Sequence, residues 1–382
     1  VKLENGFIEN GHPSKKAIDE IERRLRIQRN KPVMPTDIGF MGIERSRRTG
    51  GVAVRYRENG TEDRATKVKI EEVRKDKVGL FHKFSGMDGI RECKIPLDLS
   101  EITGSADNSW LAIVHADGNS IGSHVQNISP GEFKKFSENL QKATEEAAQE
   151  AFRKTIPEPG TKERYPIRPV ILGGDDVTVI IRADLALSFT EEYLKAFEKK
   201  TKEKLNKCLT ACAGIAYIKE KYPFHYGVRL AEELTKEAKK MSKGENETVP
   251  PSSLSFYKVQ SSFVESLGDM RARTHHKIAE NLGFDANEIT YSYPIESKES
   301  LSTGDIRDSL EKLKEYSTNE SGSVGKLKHW LTLLQEDKPK ADFFLERIKE
   351  INEQMYKGLK LEDKKRQRAL FDILQLESFN QQ

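Results

Sequence analysis

The spacing of apolar residues along the chain switches between a helical period near 3.6 and the alternating or continuous runs of strands. Residues 14 to 29 set Ala17, Ile18, Ile21 and Leu25 amid charges at helical spacing, which predicts an amphipathic helix stopped by Pro32 and Pro35. Val52-Ala-Val-Arg-Tyr56 alternates like a short strand and closes at the turn-prone Glu58-Asn59-Gly60, with a charged helix expected from Arg64 to Lys77. Trp110-Leu-Ala-Ile-Val-His-Ala116 is apolar enough for a central buried strand and ends at Asp117-Gly118-Asn119-Ser120. Ser129-Pro130-Gly131-Glu132 reads as a capping box with Pro at the first helical position, followed by Phe133, Phe136, Leu140, Ala143, Ala147 and Ala151 on one face of a long helix.

Pro169-Val-Ile-Leu-Gly-Gly-Asp-Asp-Val-Thr-Val-Ile-Ile-Arg182 holds two β-branched runs joined by a Gly-Gly-Asp-Asp bend, the pattern of a hairpin. A helix marked by Phe189, Tyr193 and Phe197, with Asp184 as its cap, leads to the small-residue strand Leu209 to Tyr217. Val228, Ala231, Leu234, Ala238 and Met241 mark another amphipathic helix, and Leu254-Ser-Phe-Tyr-Lys258 is expected as an edge strand. The order from 110 to 242 is β-α-β-β-α-β-α, whose first six elements are the ferredoxin-like arrangement. Right-handed crossovers would then place the first and third strands side by side at the sheet centre, bringing Asp117 to the Gly-Gly-Asp-Asp bend. From Asp269 onward the pattern is helical and highly charged: Ile306, Leu310 and Leu313 form one stripe, Gly325 to Leu334 another, Pro339 breaks the region, and Phe343 to Gln375 supplies one or two more helices. The expected fold class is therefore α+β, a ferredoxin-like domain at residues 106–262 between an accessory α+β region at 1–105 and a helical domain at 263–382.

Chemistry concentrates at the bend. Adjacent strand residues point to opposite faces, so Asp175 and Asp176 converge only if the hairpin tip re-orients one of them. Two carboxylates about 4 Å apart repel by roughly 4 kcal/mol at an effective dielectric near 20, a cost that a divalent cation removes. The tetrapeptide alone fits two readings, a solvated turn and a Mg²⁺ or Mn²⁺ site; a third carboxylate arriving at Asp117 favours the metal. Two such ions about 4 Å apart suit in-line phosphoryl transfer. Backbone N–H groups of Gly118, Asn119 and Ser120, in a strand-to-helix turn, would face a nucleoside triphosphate, while Lys239 reads either as a helix C-terminal lysine or as a partner for the outer phosphates. His12, His82, Arg45, Arg47 and Arg48 read as solvated surface groups, and His275-His276, adjacent on a helix, cannot face one ligand and are expected at the surface.

Composition narrows the setting. The 382 residues are 33% charged with a net charge of +3 and a mean hydropathy of -0.68, a mixed-sign surface without a strong nucleic-acid signature. Cys93, Cys208 and Cys212 show no paired metal or disulfide spacing, no apolar run reaches membrane-helix length, and Val1-Lys-Leu-Glu-Asn lacks a signal-peptide core. A cytoplasmic protein with no membrane partner is expected, trimmed or processed at a start that lacks Met.

His115-Ala-Asp-Gly-Asn-Ser-Ile-Gly122, Leu172-Gly-Gly-Asp-Asp-Val177, Ala213-Gly-Ile-Ala216, Tyr222-Pro-Phe and Ala231-Glu-Glu-Leu-Thr-Lys-Glu-Ala-Lys-Lys240 together resemble the cyclase-active palm of the large subunit of type III CRISPR effector complexes. They resemble GGDEF diguanylate cyclases more distantly, with Asp176 where those have Glu and Val177 where Phe is usual. The resemblance spans residues 108 to 260 and implies a Mg²⁺- or Mn²⁺-dependent nucleotidyltransferase that joins ATP into cyclic or linear oligoadenylate messengers in antiviral defence. It implies metal binding by Asp117, Asp175 and Asp176, nucleotide contacts from Gly118, Asn119, Ser120, Gly173 and Gly174, and phosphate contact from Lys239. The partners it implies are ATP or another nucleoside triphosphate, a second copy or defence-complex subunits, and an RNA activator. The chain has no His-Asp dipeptide and no cysteine cluster, so it is expected as a compact relative with one palm. A nucleotide-binding scaffold without turnover and a template-directed polymerase are the competing readings.

Overall fold

The computed structural model describes residues 8–9, 12–13, 15–30, 44–46, 49–57, 60–75, 78–104, 109–126, 128–244, 249–261, 265–285, 291–297, 300–318 and 324–379. The chain forms two compact units, one made of Val1–Leu80 and Gly122–Ser137, the other of Phe81–Ile121 and Glu138–Gln382. Arg47 and Arg48, expected as solvated surface groups, lie outside the described residues.

In the first unit, β1 (Ile8–Glu9) pairs antiparallel with β2 (His12–Pro13), α1 (Lys15–Arg29) follows, and β3 (Ala53–Arg57) forms a hairpin with β4 (Gly60–Asp63) ahead of α2 (Arg64–Lys75). The helix predicted at 14 to 29 is present, but Ile21 and Leu25 stay about half exposed, at 51% and 47%. Helical period alone does not say how much cover a face receives.

Short helices α3 (Gly79–Ser85) and α4 (Leu99–Thr103) precede the main sheet. Strand β5 (Trp110–Gly118) leads through α5 (Ile121–Gln126) and the long α6 (Pro130–Thr155) to the hairpin of β6 (Ile167–Gly173) and β7 (Asp176–Arg182). Helix α7 (Ala183–Leu205), β8 (Ala211–Lys219), α8 (Phe224–Gly244) and β9 (Ser253–Lys258) follow. After α9 (Leu267–Arg271), a π-helical turn at Ala272–His276 and α10 (Lys277–Leu282), β10 (Ser292–Pro294) completes the sheet. The strand order is β10-β9-β8-β5-β7-β6, so β8-β5-β7-β6 is the antiparallel ferredoxin-like core, with β5 and β7 adjacent as the crossover rule requires. Strand β9 runs parallel to β8, joined by the α8 crossover, and all its residues are buried. The sequence-based expectation of an edge strand is thus corrected: β10 pairs outside β9, and its three residues, Ser-Tyr-Pro, are too few to show a period.

Two layers of side chains close on this sheet. One face sets Leu111, Ile113, Ile180, Ala216 and Ile218 against Leu230, Ala231 and Leu234 of α8, each large aliphatic contributing about 1.5–3 kcal/mol by burial. Gly214 lets α8 rest directly on β8, because a Cβ there would run into the Ala231 carbonyl oxygen. The other face is covered by α7, where Phe189 stacks on Tyr193 and Tyr193 meets Phe197 in a tilted contact.

The C-terminal helices α11 (Thr303–Thr318), α12 (Val324–Glu336), α13 (Lys338–Ile351), α14 (Glu353–Gly358) and α15 (Lys364–Glu377) belong to the same unit as the sheet. Pro339 does not break a helix there; it lies in the first turn of α13, behind the Asp337 cap. No described helix is long and apolar enough to cross a membrane. His275 corrects another expectation. It is 5% exposed, with Nε2 3.1 Å from Asp372 Oδ1, while the Tyr293 hydroxyl donates to Asp372 Oδ2 at 2.5 Å, tying β10 and the π-helical turn to α15. Burial alone would raise the Asp372 carboxyl, but the bonds from His275 and Tyr293 outweigh it and hold the group below the usual range. This network therefore stabilises the fold above the ordinary carboxylate range and weakens as acid protonates Asp372. Asp372→Ala, which strands a buried imidazole and phenol, is expected to cost about 3–5 kcal/mol in urea unfolding at pH 7.

Candidate functional site

The β6–β7 hairpin is closed by a two-residue turn. Gly173 pairs with Asp176 on the last rung, leaving Gly174 and Asp175 at the tip. Gly174 has φ +63 while Asp175 is not in the positive region, the sign pattern of a II′ turn, which favours Gly at its first central position. The tip thus takes Asp175 out of strand alternation, and Asp176 begins β7. Because β7 lies beside β5, whose Asp117 is one residue from its end, oxygens of Asp117, Asp175 and Asp176 all lie within 4.8 Å of one another. Gly118 makes the approach possible. A Cβ at that position would sit 2.9 Å from Asp175 Oδ2 and 2.7 Å from Ile121 Cγ1.

Three acids in this space are electrostatically uncomfortable. Burial, then the Asp117 and Asp176 carboxylates, push Asp175 up to about 6. Asp176, at the exposed rim, is raised by desolvation and by Asp117. Lys239 relieves part of the charge: its Nζ lies 2.5 Å from Asp117 Oδ2 and donates to the Gly118 carbonyl at 2.8 Å. Helix α8 holds it there, seated on Gly214 and fastened where Thr235 Oγ1 donates to the His115 carbonyl at 3.0 Å. Beneath the acids, Tyr193 of α7 is 1% exposed, and its hydroxyl has no hydrogen-bond partner. Burial and the three carboxylates raise this phenol, so it keeps its proton.

The other expected contacts divide. Asn119 is buried: its N–H donates to the Thr210 carbonyl at 2.8 Å and its side-chain amide to Thr210 Oγ1 at 3.0 Å, so that N–H is committed to the fold. Ser120 is exposed with φ 58. The helix after it is the six-residue α5, not the long α6, which begins at Pro130. Sequence reasoning missed Tyr193 and Thr210. Tyr193 looked like one more core aromatic, and Thr210 carries no periodic signal.

An all-oxygen donor set of this kind fits a hard divalent cation such as Mg²⁺ or Mn²⁺. Residues 110–249 match the family model for the second palm domain of Cas10/Cmr2. This segment is a Cas10-like palm domain. Among solved structures, the chain is similar to the Csm1-Csm4 cassette in complex with cA3, at 15% identity and a TM-score of 0.45, covering 71% of this chain and 36% of that one. The apo Csm1-Csm4 cassette matches at 15% identity and a TM-score of 0.45, covering 74% and 38%. The cassette in complex with pppApA matches at 13% identity and a TM-score of 0.39, covering 74% and 37%. The chain thus spans little more than a third of these three matched chains. A comparison with curated proteins finds no match.

The strain in the palm's acid cluster has a measurable sign. Asp175 sits at about 6 in the folded chain against an ordinary 3.8, so between these values the folded state holds more protons than the unfolded one. Metal-free stability therefore falls as pH rises through that window, and the penalty persists above it. Asp175→Asn is expected to raise metal-free stability by about 1–3 kcal/mol at pH 7, with the gain fading toward pH 4. Thermal unfolding in chelator at the two pH values checks this; Mn²⁺ should then stabilise the wild type and not the variant.

Proposed function

We propose that this palm is a nucleotidyltransferase joining ATP, through attack of one nucleotide's 3′-hydroxyl on the α-phosphate of the next, into cyclic or linear oligonucleotide messengers used in antiviral defence. The observation that carries the proposal is the meeting of Asp117, Asp175 and Asp176 within 4.8 Å at the edge of a Cas10-like palm. Those carboxylates would hold Mg²⁺ or Mn²⁺, which when bound there lowers the hydroxyl's pKa and neutralises charge on the phosphates. In the reaction the 3′-hydroxyl loses its proton, a phosphodiester bond forms, the bond between α- and β-phosphates breaks, and pyrophosphate leaves.

The chain's own groups position and neutralise. Lys239 balances Asp117 in the resting site and supplies positive charge where the triphosphate would lie. Gly118 and Gly173 leave the floor free of side chains, and the exposed Ser120 borders the site. Gly174 lets the tip turn, and the buried Asn119 fixes the floor from below through Thr210. His115, which meets Thr178 Oγ1 at 2.9 Å, continues the same face inward along β5. The reading includes a thumb-like role for residues 263–382 and an accessory role for 1–105. It also includes assembly with a second copy or with effector subunits under the control of RNA.

Incubating the full chain with each nucleoside triphosphate and Mg²⁺ or Mn²⁺, with and without RNA, and identifying products by mass tests the proposal. Pyrophosphate and 3′-linked oligoadenylate are expected, and both should disappear in Asp117→Ala and Asp175→Ala. Metal-dependent ATP binding without product under every condition would replace the enzyme with a nucleotide-binding scaffold.

A further inference from the structure

The tip that carries Asp175 is held from outside the sheet. Gly174 is the residue whose conformation takes Asp175 out of strand alternation, and both of its backbone polar groups bond to side chains of α6. Its N–H donates to Gln141 Oε1 at 2.6 Å, and its carbonyl accepts from Thr144 Oγ1 at 2.6 Å. The Gln141 amide is itself oriented, because its Nε2 donates to Glu145 Oε1 at 2.7 Å. A carboxylate can only accept, so this bond turns the amide oxygen toward Gly174. Residues 141, 144 and 145 stand three and four apart, hence on one helical face. Thr144 is fully buried, where an unmade hydrogen bond is costly.

We infer that Gln141, Thr144 and Glu145 form a clamp that fixes the Gly174 backbone in its left-handed conformation and so aims Asp175 and Asp176 at Asp117. They are positioning residues; none is among the carboxylates of the cluster. For a two-residue turn the alternatives are local. A tip free to leave the left-handed region would return Asp175 toward the other face of the hairpin and open the cluster. The clamp opposes this with two hydrogen bonds on one residue, both anchored in a helix of 26 residues. The inference rests on the metal-dependent reading of the site for its consequence in catalysis, but its structural content is independent of any ion.

Two measurements separate the clamp from that reading. The first is amide hydrogen exchange at Gly174 in metal-free protein, where the Gln141 bond protects the N–H. Gln141→Ala should accelerate exchange at Gly174 while leaving the β5–β7 ladder unchanged; unaltered exchange at Gly174 overturns the clamp. The second is Mn²⁺ binding followed by electron paramagnetic resonance, together with product formation from ATP. Thr144→Val, close in size but lacking the donor, is expected to weaken Mn²⁺ binding or turnover about 10- to 100-fold, the usual cost of losing a group that orients a metal ligand. Thr144→Ser, which keeps the hydroxyl, should restore both. Thr155→Val controls for general loss of a threonine hydroxyl in α6, since Thr155 Oγ1 donates back to the Ala151 carbonyl of its own helix. Thr144→Val with wild-type Mn²⁺ binding and turnover overturns the clamp. A wild type that binds no Mn²⁺ overturns the metal reading instead, and the exchange at Gly174 still decides the clamp.

Discussion

Mutual repulsion among three carboxylates is the constraint around which this palm is built. Asp117 and Asp176 lie on two strands far apart in sequence, with Asp175 on the turn before the second, so only the fold brings Asp117 to the other two. They meet because β5 and β7 are neighbours, because the II′ tip lifts Asp175 off its strand, and because Gly118 has no side chain where Asp175 rests. Each of these is a small structural commitment made elsewhere in the fold. Burial first, and then the Asp117 and Asp176 carboxylates, raise Asp175, and the protein's own cation, Lys239, offsets only part of this.

The supporting framework is closely packed. Helix α8 lies on bare strand backbone at Gly214, which sets the reach of Lys239, while α7 closes the opposite face with stacked aromatics and leaves the Tyr193 hydroxyl under the acids. Functional sites commonly keep strain of this kind where the surrounding packing over-determines the geometry. Here the packing is the ferredoxin-like core, extended by β9 and β10 and tied to the C-terminal helices through the buried His275–Asp372–Tyr293 network.

Most of this core was legible in the sequence, because its signals are periodic. Continuous apolar runs marked β5 and β8, the glycine pair marked the bend, and the element order together with crossover handedness brought Asp117 to it. What was not legible depends on partners without periodicity. Strand β10 is three residues long, so β9 looked like an edge. Asn119 looked like a backbone donor for a ligand, yet Thr210, distant in sequence, takes its N–H. His275 looked like a surface residue because adjacent helical positions diverge, but divergence does not prevent one of the pair from being buried against Asp372. Gln141 and Thr144 interrupt no pattern; only the fold shows that they end on Gly174.

Charge balance links the resting site to the proposed chemistry. At neutral pH three carboxylates and the Lys239 ammonium leave two negative charges at the strand edge, which a single divalent cation neutralises. A second cation held by the same residues alone would exchange repulsion among anions for repulsion among cations. It becomes favourable once a triphosphate adds its own negative charge, which also gives Lys239 an alternative to Asp117. In the proposed reading, therefore, the site is completed by its substrate: the protein supplies geometry and one cation's worth of charge, and the nucleotide supplies what makes the second stable. This follows from having one lysine and three acids in the cluster.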